Sequence, residues 1–385
     1  MVLSNNLPKT AIDRKKLAAG IKRLVVKVGS NLLASVENGL NLETIEHLAL
    51  ELSGLWQQGY EVLLVSSGAT LAGMQSLGLS EKPKTIPARQ AAAAIGQSRL
   101  MWVYEQSFKK HNQMVAQVLL TQDDLSSRHR FLNARNTLDT LLSYKVLPII
   151  NENDTVAVEE LKVGDNDNLS ALVTSLCEAD LLVILSDIDG LYTADPYLNA
   201  DACLIPLVDC VTSEIEKLAS GSKDSQSTGG MITKLQAAGK AASFGVPTII
   251  TSGRIPNVLT RIMQGEELGT LFLACESRLA ARKHWIAYAL KPHGRLVLDD
   301  GAKHVIINKG KSLLPSGIKA VEGNFEAGDA VSCVDVSGKE FARGLVNYHA
   351  QELEQIKGHR TGEIEKILGY KYYDEVIHRN DLVLL

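Results

Sequence analysis

"RLVVKVGSNLL", residues 23–33, opens with a run that is apolar on both faces and broken only by Lys27. It closes on a Gly-Ser pair before a second apolar stretch. A strand without a polar face needs cover on both sides. Five later runs share this character: EVLLVSSG (61–68), MVAQVLLT (114–121), VLPIIN (146–151), DLLVILSD (180–187) and PTIITSG (247–253). Helical apolar patterns fill the intervals at 43–58, 87–110, 130–144, 168–178 and 229–244. This alternation predicts an α/β fold, a mostly parallel sheet sandwiched by helices. Ligands of such open sheets sit beyond the carboxyl ends of the strands. Those ends are small or polar here: Gly29-Ser30, Ser66-Ser67-Gly68, Asn151 to Asp154, and Ser186-Asp187.

The chain has 385 residues, 45% hydrophobic and 22% charged, which suits two globular domains rather than one core or a disordered polymer. A net charge of −4 supplies no global attraction to nucleic acid or an acidic membrane. No apolar run approaches the ~20 residues of a membrane span, and residues 1–22 lack the apolar stretch of a secretory signal. Five scattered cysteines without a C-x-x-C pair argue against a disulfide framework or zinc site and for the reducing cytoplasm. The basic cluster from Arg14 to Lys16 is expected to be a solvated helix face or a frayed extension. After residue 275 the runs shorten and are broken by Gly, Pro, Asn and Asp, which predicts a small β-barrel. The expected division is an extension (1–22), a catalytic domain (23–275), a linker (276–292) and the barrel (293–385).

The common nucleotide motifs G-x-x-x-x-G-K-[ST] and G-x-G-x-x-G are absent, so a phosphate site must be built another way. STGGMITKLQAA (227–238) offers one. Ser227 or Thr228 can cap a helix, Gly229 and Gly230 allow close backbone approach, and Lys234 lies about one turn in. A capped surface helix is the plain alternative. Lys27 inside an apolar strand needs a partner or a ligand, a structural ion pair being the other reading. Ser66-Ser67-Gly68 suits a carboxylate or phosphate, or only a turn. Asn151 to Asp154 suits an ammonium group, a magnesium water shell, or an Asx turn. VGDNDN (163–168) places Asp165, Asn166, Asp167 and Asn168 at a helix start, where one N-cap would suffice. Cations for phosphates beside carboxylates for an ammonium group suggest a kinase acting on a zwitterion.

At these residues the chain resembles the amino acid kinase family, and within it the kinases of the glutamate side chain. The resemblance rests on VVKVGSNLL, VSSGATLAG, IGQSRLMWVYEQ, RFLNARNTL, PIINENDTVA, KVGDNDNLSALV, DGLYTADP, TGGMITKLQAA and SLLPSGIKAVEGNF. It implies phosphorylation of the γ-carboxylate of L-glutamate by ATP with Mg²⁺, the first step of proline synthesis. It also implies proline as feedback inhibitor, a following reductase and a homo-oligomer. By the same resemblance, Lys27 and Lys234 contact ATP phosphates and Asp167 organises the two lysines. Ser67, Asp154 and Asn166 bind glutamate. Ser186, Asp187, Thr228, Gly229, Gly230 and Met231 belong to nucleotide-binding segments. Related kinases of aspartate, acetylglutamate, carbamate or nucleoside monophosphates would lack this combination of motifs.

The tail resembles a PUA domain, a barrel found in RNA-modifying enzymes, so an RNA-binding regulator is the alternative function. From His293 to Leu385 there are twelve Lys and Arg against fourteen Asp and Glu, which argues against a phosphate-tracking surface. A local patch would have to form around Lys309, Lys311 and Lys319. Helices 87–110 and 130–144 suit a subunit contact or core burial equally.

Overall fold

Each of the six apolar runs forms a strand. The computed structural model describes residues 13–35, 39–157, 165–196, 198–219, 230–274 and 292–385. Strands β1 (Arg23–Val28), β2 (Glu61–Val65), β3 (Val115–Leu120), β4 (Leu147–Glu152), β5 (Leu181–Ser186) and β7 (Thr248–Ser252) pair in parallel. With β6 (Leu207–Val208) and β8 (Thr270–Phe272) they make an eight-stranded sheet, ordered β3-β4-β2-β1-β5-β7-β8-β6. β8 runs antiparallel to β7, and β8 and the edge strand β6 are too short to leave a period in the sequence.

β1 lies near the centre, and its two-residue period sorts its side chains. Leu24, Val26 and Val28 enter one core with Leu64, Val183 and Leu185, joined by Ile45, Leu52 and Leu55 of α2 (Leu42–Gln57). Each such fully buried side chain contributes about 1.5–3 kcal/mol. Lys27 takes the opposite face, where α6 (Asp165–Leu176) packs on β1 and against α7 (Met231–Ser243). Helices α3 (Ala69–Ser76) and α4 (Ile86–Lys109) cross backbone to backbone, and α5 (Arg128–Ser143) lies between β3 and β4 in the chain. A Cβ on Gly96 would lie 1.8 Å from the Ala69 carbonyl oxygen, and one on Gly73 1.7 Å from that of Ala92.

Arg14 departs from the solvated face expected of its cluster. It lies on α1 (Arg14–Ala19), capped by Asp13, and is 7% exposed. Its guanidinium donates to the carbonyls of Leu268 and Pro206, each at 2.7 Å, and to Gly269 at 3.4 Å. A guanidinium has five donors and satisfies several carbonyls at once, so it can be buried where an apolar run would be expected. Its neighbours Lys15 and Lys16 do face solvent.

The chain divides into two compact units, residues 1–125 with 134–276, and residues 277–385 with 126–133. The expected linker, 276–292, lies outside the described residues except for Pro292. In the second unit, β9 (Gly294–Leu298), β10 (Ile318–Gly323), β11 (Ala330–Val334), β12 (Glu340–Leu345) and β13 (Leu382–Leu384) form a sheet ordered β10-β9-β11-β12-β13. All pairs are antiparallel except β9 with β11. Its core gathers Leu296, Leu298, Val331, Cys333 and Ala342 with Ile306, Leu353 and Ile356 from helices. Lys309, Lys311 and Lys319 are exposed. Among the described residues, no helix is long and apolar enough to cross a membrane.

Candidate active site

The carboxyl ends of β1, β2, β4 and β5 surround a cavity of about 280 Å³. Its floor is ionic. Lys27 Nζ lies 2.6 Å from Asp167 Oδ1, and Lys234 Nζ 3.6 Å from Asp167 Oδ2. The two lysines therefore face one carboxylate and line one cavity. The Thr233 hydroxyl lies 2.7 Å from Asp167 Oδ2 and 2.8 Å from the Gly230 carbonyl. All three charged side chains are buried, Asp167 completely.

The local sequence explains this convergence. Lys27 faces α6 because it alternates with Val26 and Val28. α6 begins at Asp165, three residues before the expected start, so Asn166 and Asp167 lie in its first turn. Acidic residues are favoured there by the helix dipole. α7 begins at Met231, so its N-cap is Gly230, with no side-chain cap bond, instead of Ser227 or Thr228. Thr228 and Gly229 lie outside the described residues. Lys234 follows in the first turn of α7 and points back to the floor.

Burial alone would raise the Asp167 carboxyl. Lys27, Lys234 and the Thr233 hydroxyl outweigh it and hold the group below the ordinary carboxylate range. The Lys234 ammonium is pushed down by burial and by Lys27, against the pull of Asp167 and Asp187. Two cations around one anion leave a residual positive charge in a low-dielectric floor, which an arriving anion would neutralise.

The cavity wall carries the amide and hydroxyl groups. Gly68, at φ +95° where glycine is favoured, turns the chain from β2 into α3 and presents Ser67. Asn166 Nδ2 donates to Ser67 Oγ at 3.2 Å, and Asn166 Oδ1 is buried without a hydrogen-bond partner. Asp154 lines the same cavity. At the end of β5, Ser186 Oγ donates to Asp187 Oδ1 at 3.1 Å and Asn31 Nδ2 to Asp187 Oδ2 at 3.0 Å. Burial raises the Asp187 carboxyl, but Asn31, Ser186 and Lys234 bring it below its ordinary value. Met231 begins α7 beside Gly230 but does not line the cavity.

Among the residues here not singled out from the sequence are Asn31, Thr233, Lys82 and Arg89. Asn31 sits in the quoted VVKVGSNLL run and Thr233 beside Lys234, so adjacency was their signal. Lys82 and Arg89 also line the cavity. They come from the approach to α4 and its first turn, which carry no strand end to mark them.

Residues 22–252 match the model of the amino acid kinase family, and residues 294–368 match that of the PUA domain. The chain is 55% identical to the glutamate 5-kinase of Pelobacter propionicus over 97% of its own length and all of that protein. It is 57% identical to the glutamate 5-kinase of Geobacter metallireducens over 98% of its length and all of that protein. Among solved structures, the UMP kinase of Bacillus anthracis aligns with a TM-score of 0.47 and 18% identity, over 66% of this chain and 97% of that one.

Proposed function

The chain belongs to the amino acid kinase family, and from that membership we propose that it transfers the γ-phosphoryl group of ATP to the side-chain carboxylate of L-glutamate, the first step of proline synthesis. The observation that carries this reading is the buried Lys27–Asp167–Lys234 group on the floor of a cavity walled by Ser67, Asn166 and Asp154.

The acceptor carboxylate has an ordinary pKa of ~4.3 and is ionised at neutral pH, so no general base is needed. One of its oxygens forms a bond to the γ-phosphorus. The bond from that phosphorus to the bridging oxygen breaks, and ADP leaves with the electron pair. The barrier is repulsion between an anion and a triphosphate. Positioning and positive charge lower it, as in phosphoryl transfer generally. Lys27 and Lys234 supply that charge at the phosphates, and Asp167 fixes both ammonium groups before substrate arrives. Asp154 pairs with the substrate ammonium group. Asn166 Oδ1, buried and without a partner, accepts from the same group, while its amide nitrogen holds Ser67. Ser186, Asp187 and the 228–231 segment hold the nucleotide.

ATP acts as its magnesium complex. No cluster of three or more His, Cys, Asp or Glu side chains forms a cage among the described residues. The ion would be carried in by the nucleotide's phosphates with waters of its own. The acyl phosphate product hydrolyses readily, which favours a following reductase. Proline as end-product inhibitor, a homo-oligomer and a cytoplasmic location complete the proposal. We assign catalysis to residues 23–275 and a regulatory or structural role to 293–385, joined through 276–292. The acidic balance of the tail weighs against RNA binding as the main function.

The test is ADP release that depends on glutamate, with hydroxylamine trapping the acyl phosphate as a hydroxamate. Hydroxamate from glutamate, and little from aspartate or N-acetylglutamate, is the expected result. Turnover of another carboxylate without glutamate turnover refutes the substrate.

A further inference from the structure

Helix α4 presents an unusual stripe to the interior. Gln90, Gln97 and Tyr104 recur every seven residues and so share one face. Around them α4 is buried through Ala92, Ala93, Gly96, Leu100, Val103 and Phe108. Polar atoms on such a face are costly unless they are bonded.

Each member reaches the end of a strand that walls the cavity, or the segment beyond it. The Tyr104 hydroxyl, fully buried, lies 2.9 Å from Ser66 Oγ, and Ser66 is the residue before Ser67. Asn151 Nδ2 donates to Gln97 Oε1 at 2.7 Å, and Asn151 Oδ1 accepts from the Glu152 amide at 2.9 Å. That chain of bonds shapes the tip of β4 two residues before Asp154. Gln90 Nε2 reaches the Ala157 carbonyl at 3.5 Å, just past Asp154. The stripe thus touches the chain beside Ser67 and on both sides of Asp154, and none of its bonds goes to Lys27, Lys234, Ser186 or Asp187. Behind it, Gly73 and Gly96 lock α4 to α3, the helix that follows Ser67 and Gly68. A Phe–Ala pair would fill the place of Tyr104 and Ser66 without any buried polar atom. The bonded pair fixes direction as well as volume.

We propose that Gln97 and Tyr104 are positioning residues for the amino-acid half of the site, setting Ser67 and Asp154 for glutamate without touching it. This rests on the assignment of glutamate to that wall. A conservative change in the stripe then acts on glutamate and spares ATP.

The experiment measures steady-state kinetics for both substrates, with thermal unfolding, on wild type, Tyr104→Phe, Gln97→Met, Ser66→Ala and the Ser66→Ala/Tyr104→Phe double variant. Tyr104→Phe and Gln97→Met should each raise the KM for glutamate roughly five- to tenfold, with the KM for ATP within about twofold. The double variant should be no worse than Ser66→Ala, because both single changes remove the same Ser66–Tyr104 bond and only Ser66→Ala also removes the donor to the Ser67 carbonyl. Equal rises in both KM values, or a lower Tm with both KM values unchanged, would overturn the proposal by reducing the stripe to a packing element. If Tyr104→Phe does not fold, Gln97→Met alone decides by the same criteria. Wild-type protein with no glutamate turnover refutes the substrate assignment and this inference with it. Glutamate turnover with an unmoved glutamate KM in the variants refutes the inference alone.

Discussion

Replacing Lys234 with methionine separates what the ionic floor does for folding from what it does for catalysis. In the folded protein Lys234 is nearly as buried as Lys27, yet it stands 3.6 Å from Asp167 while Lys27 stands at 2.6 Å. Burial and the neighbouring Lys27 push the Lys234 ammonium below its ordinary value of 10.5, so folding works against its charge. Methionine keeps most of the length and removes the charge, leaving a neutral Lys27–Asp167 pair. The variant should therefore be as stable as wild type or more stable by about 1 kcal/mol, as when buried charges are replaced by apolar groups of similar volume. A folded-state pKa lowered below the unfolded value means that the unfolded chain binds more protons between the two. Wild-type stability then rises with pH across that interval, up to about 10.5. The advantage of Lys234→Met should be greater at pH 7 than at pH 9.5, since it shrinks as pH rises toward the ordinary lysine value of 10.5. Catalysis should move the other way. Loss of one positive group aimed at developing phosphoryl charge costs about 2.7–4 kcal/mol, or 10²- to 10³-fold in kcat. Denaturant unfolding at pH 7 and 9.5, beside glutamate-dependent ADP release, measures both. A variant destabilised by several kcal/mol, or one with near-wild-type kcat, would show that Lys234 is a structural partner of Asp167 and not a group held for the phosphates.

Asp167→Asn should do the opposite to folding, leaving two buried ammonium groups without their anion, a loss of about 3–5 kcal/mol by urea unfolding. Because the Asp167 carboxyl is held below its ordinary 3.8, its stabilisation is present above that value and is lost as pH falls through the lower folded value, so acid unfolding of the variant should lack this component. Asp154→Ala should raise the KM for glutamate about tenfold or more and leave that for ATP within about twofold; a rise in the ATP value instead reverses the two halves of the site. Gly96→Ala would bring a methyl group to 1.8 Å from the Ala69 carbonyl, forcing α3 and α4 apart, and should cost roughly 1–3 kcal/mol, read as a lower Tm. Arg14→Ala removes a donor from the carbonyls of Leu268, Gly269 and Pro206, the last of which keeps the Leu271 amide, and should cost about 1–3 kcal/mol. Arg14→Lys should not restore it, since one ammonium cannot reproduce the planar fork.

What the sequence revealed and what it hid have a common physical origin. β1, β2, β4 and β5 were legible because a parallel strand covered on both faces is apolar throughout and stops at a polar tip, and both features are local. The tips then marked Ser67, Asp154 and Ser186, all of which line the cavity, through the rule that ligands gather beyond strand ends. That Lys27 and Lys234, 207 positions apart, would meet at Asp167 follows from no local pattern and is implied only by the family resemblance. It depends on α6 packing on β1 with α7 against it, above β7 and β8, which only the strand order settles. Arg14 was misread for the same reason. A basic cluster near a terminus looks solvated until distant carbonyls at Pro206, Leu268 and Gly269 are folded against it. The stripe on α4 stands between these cases. Its seven-residue spacing is plain in the sequence, but glutamine and tyrosine on an inward face look like ordinary helix residues. They acquire a role only when Ser66 and Asn151 are seen opposite them. Local chemistry announces the groups that line the cavity, because they are polar where the chain is otherwise apolar. The groups that hold those in place are disclosed only by the fold.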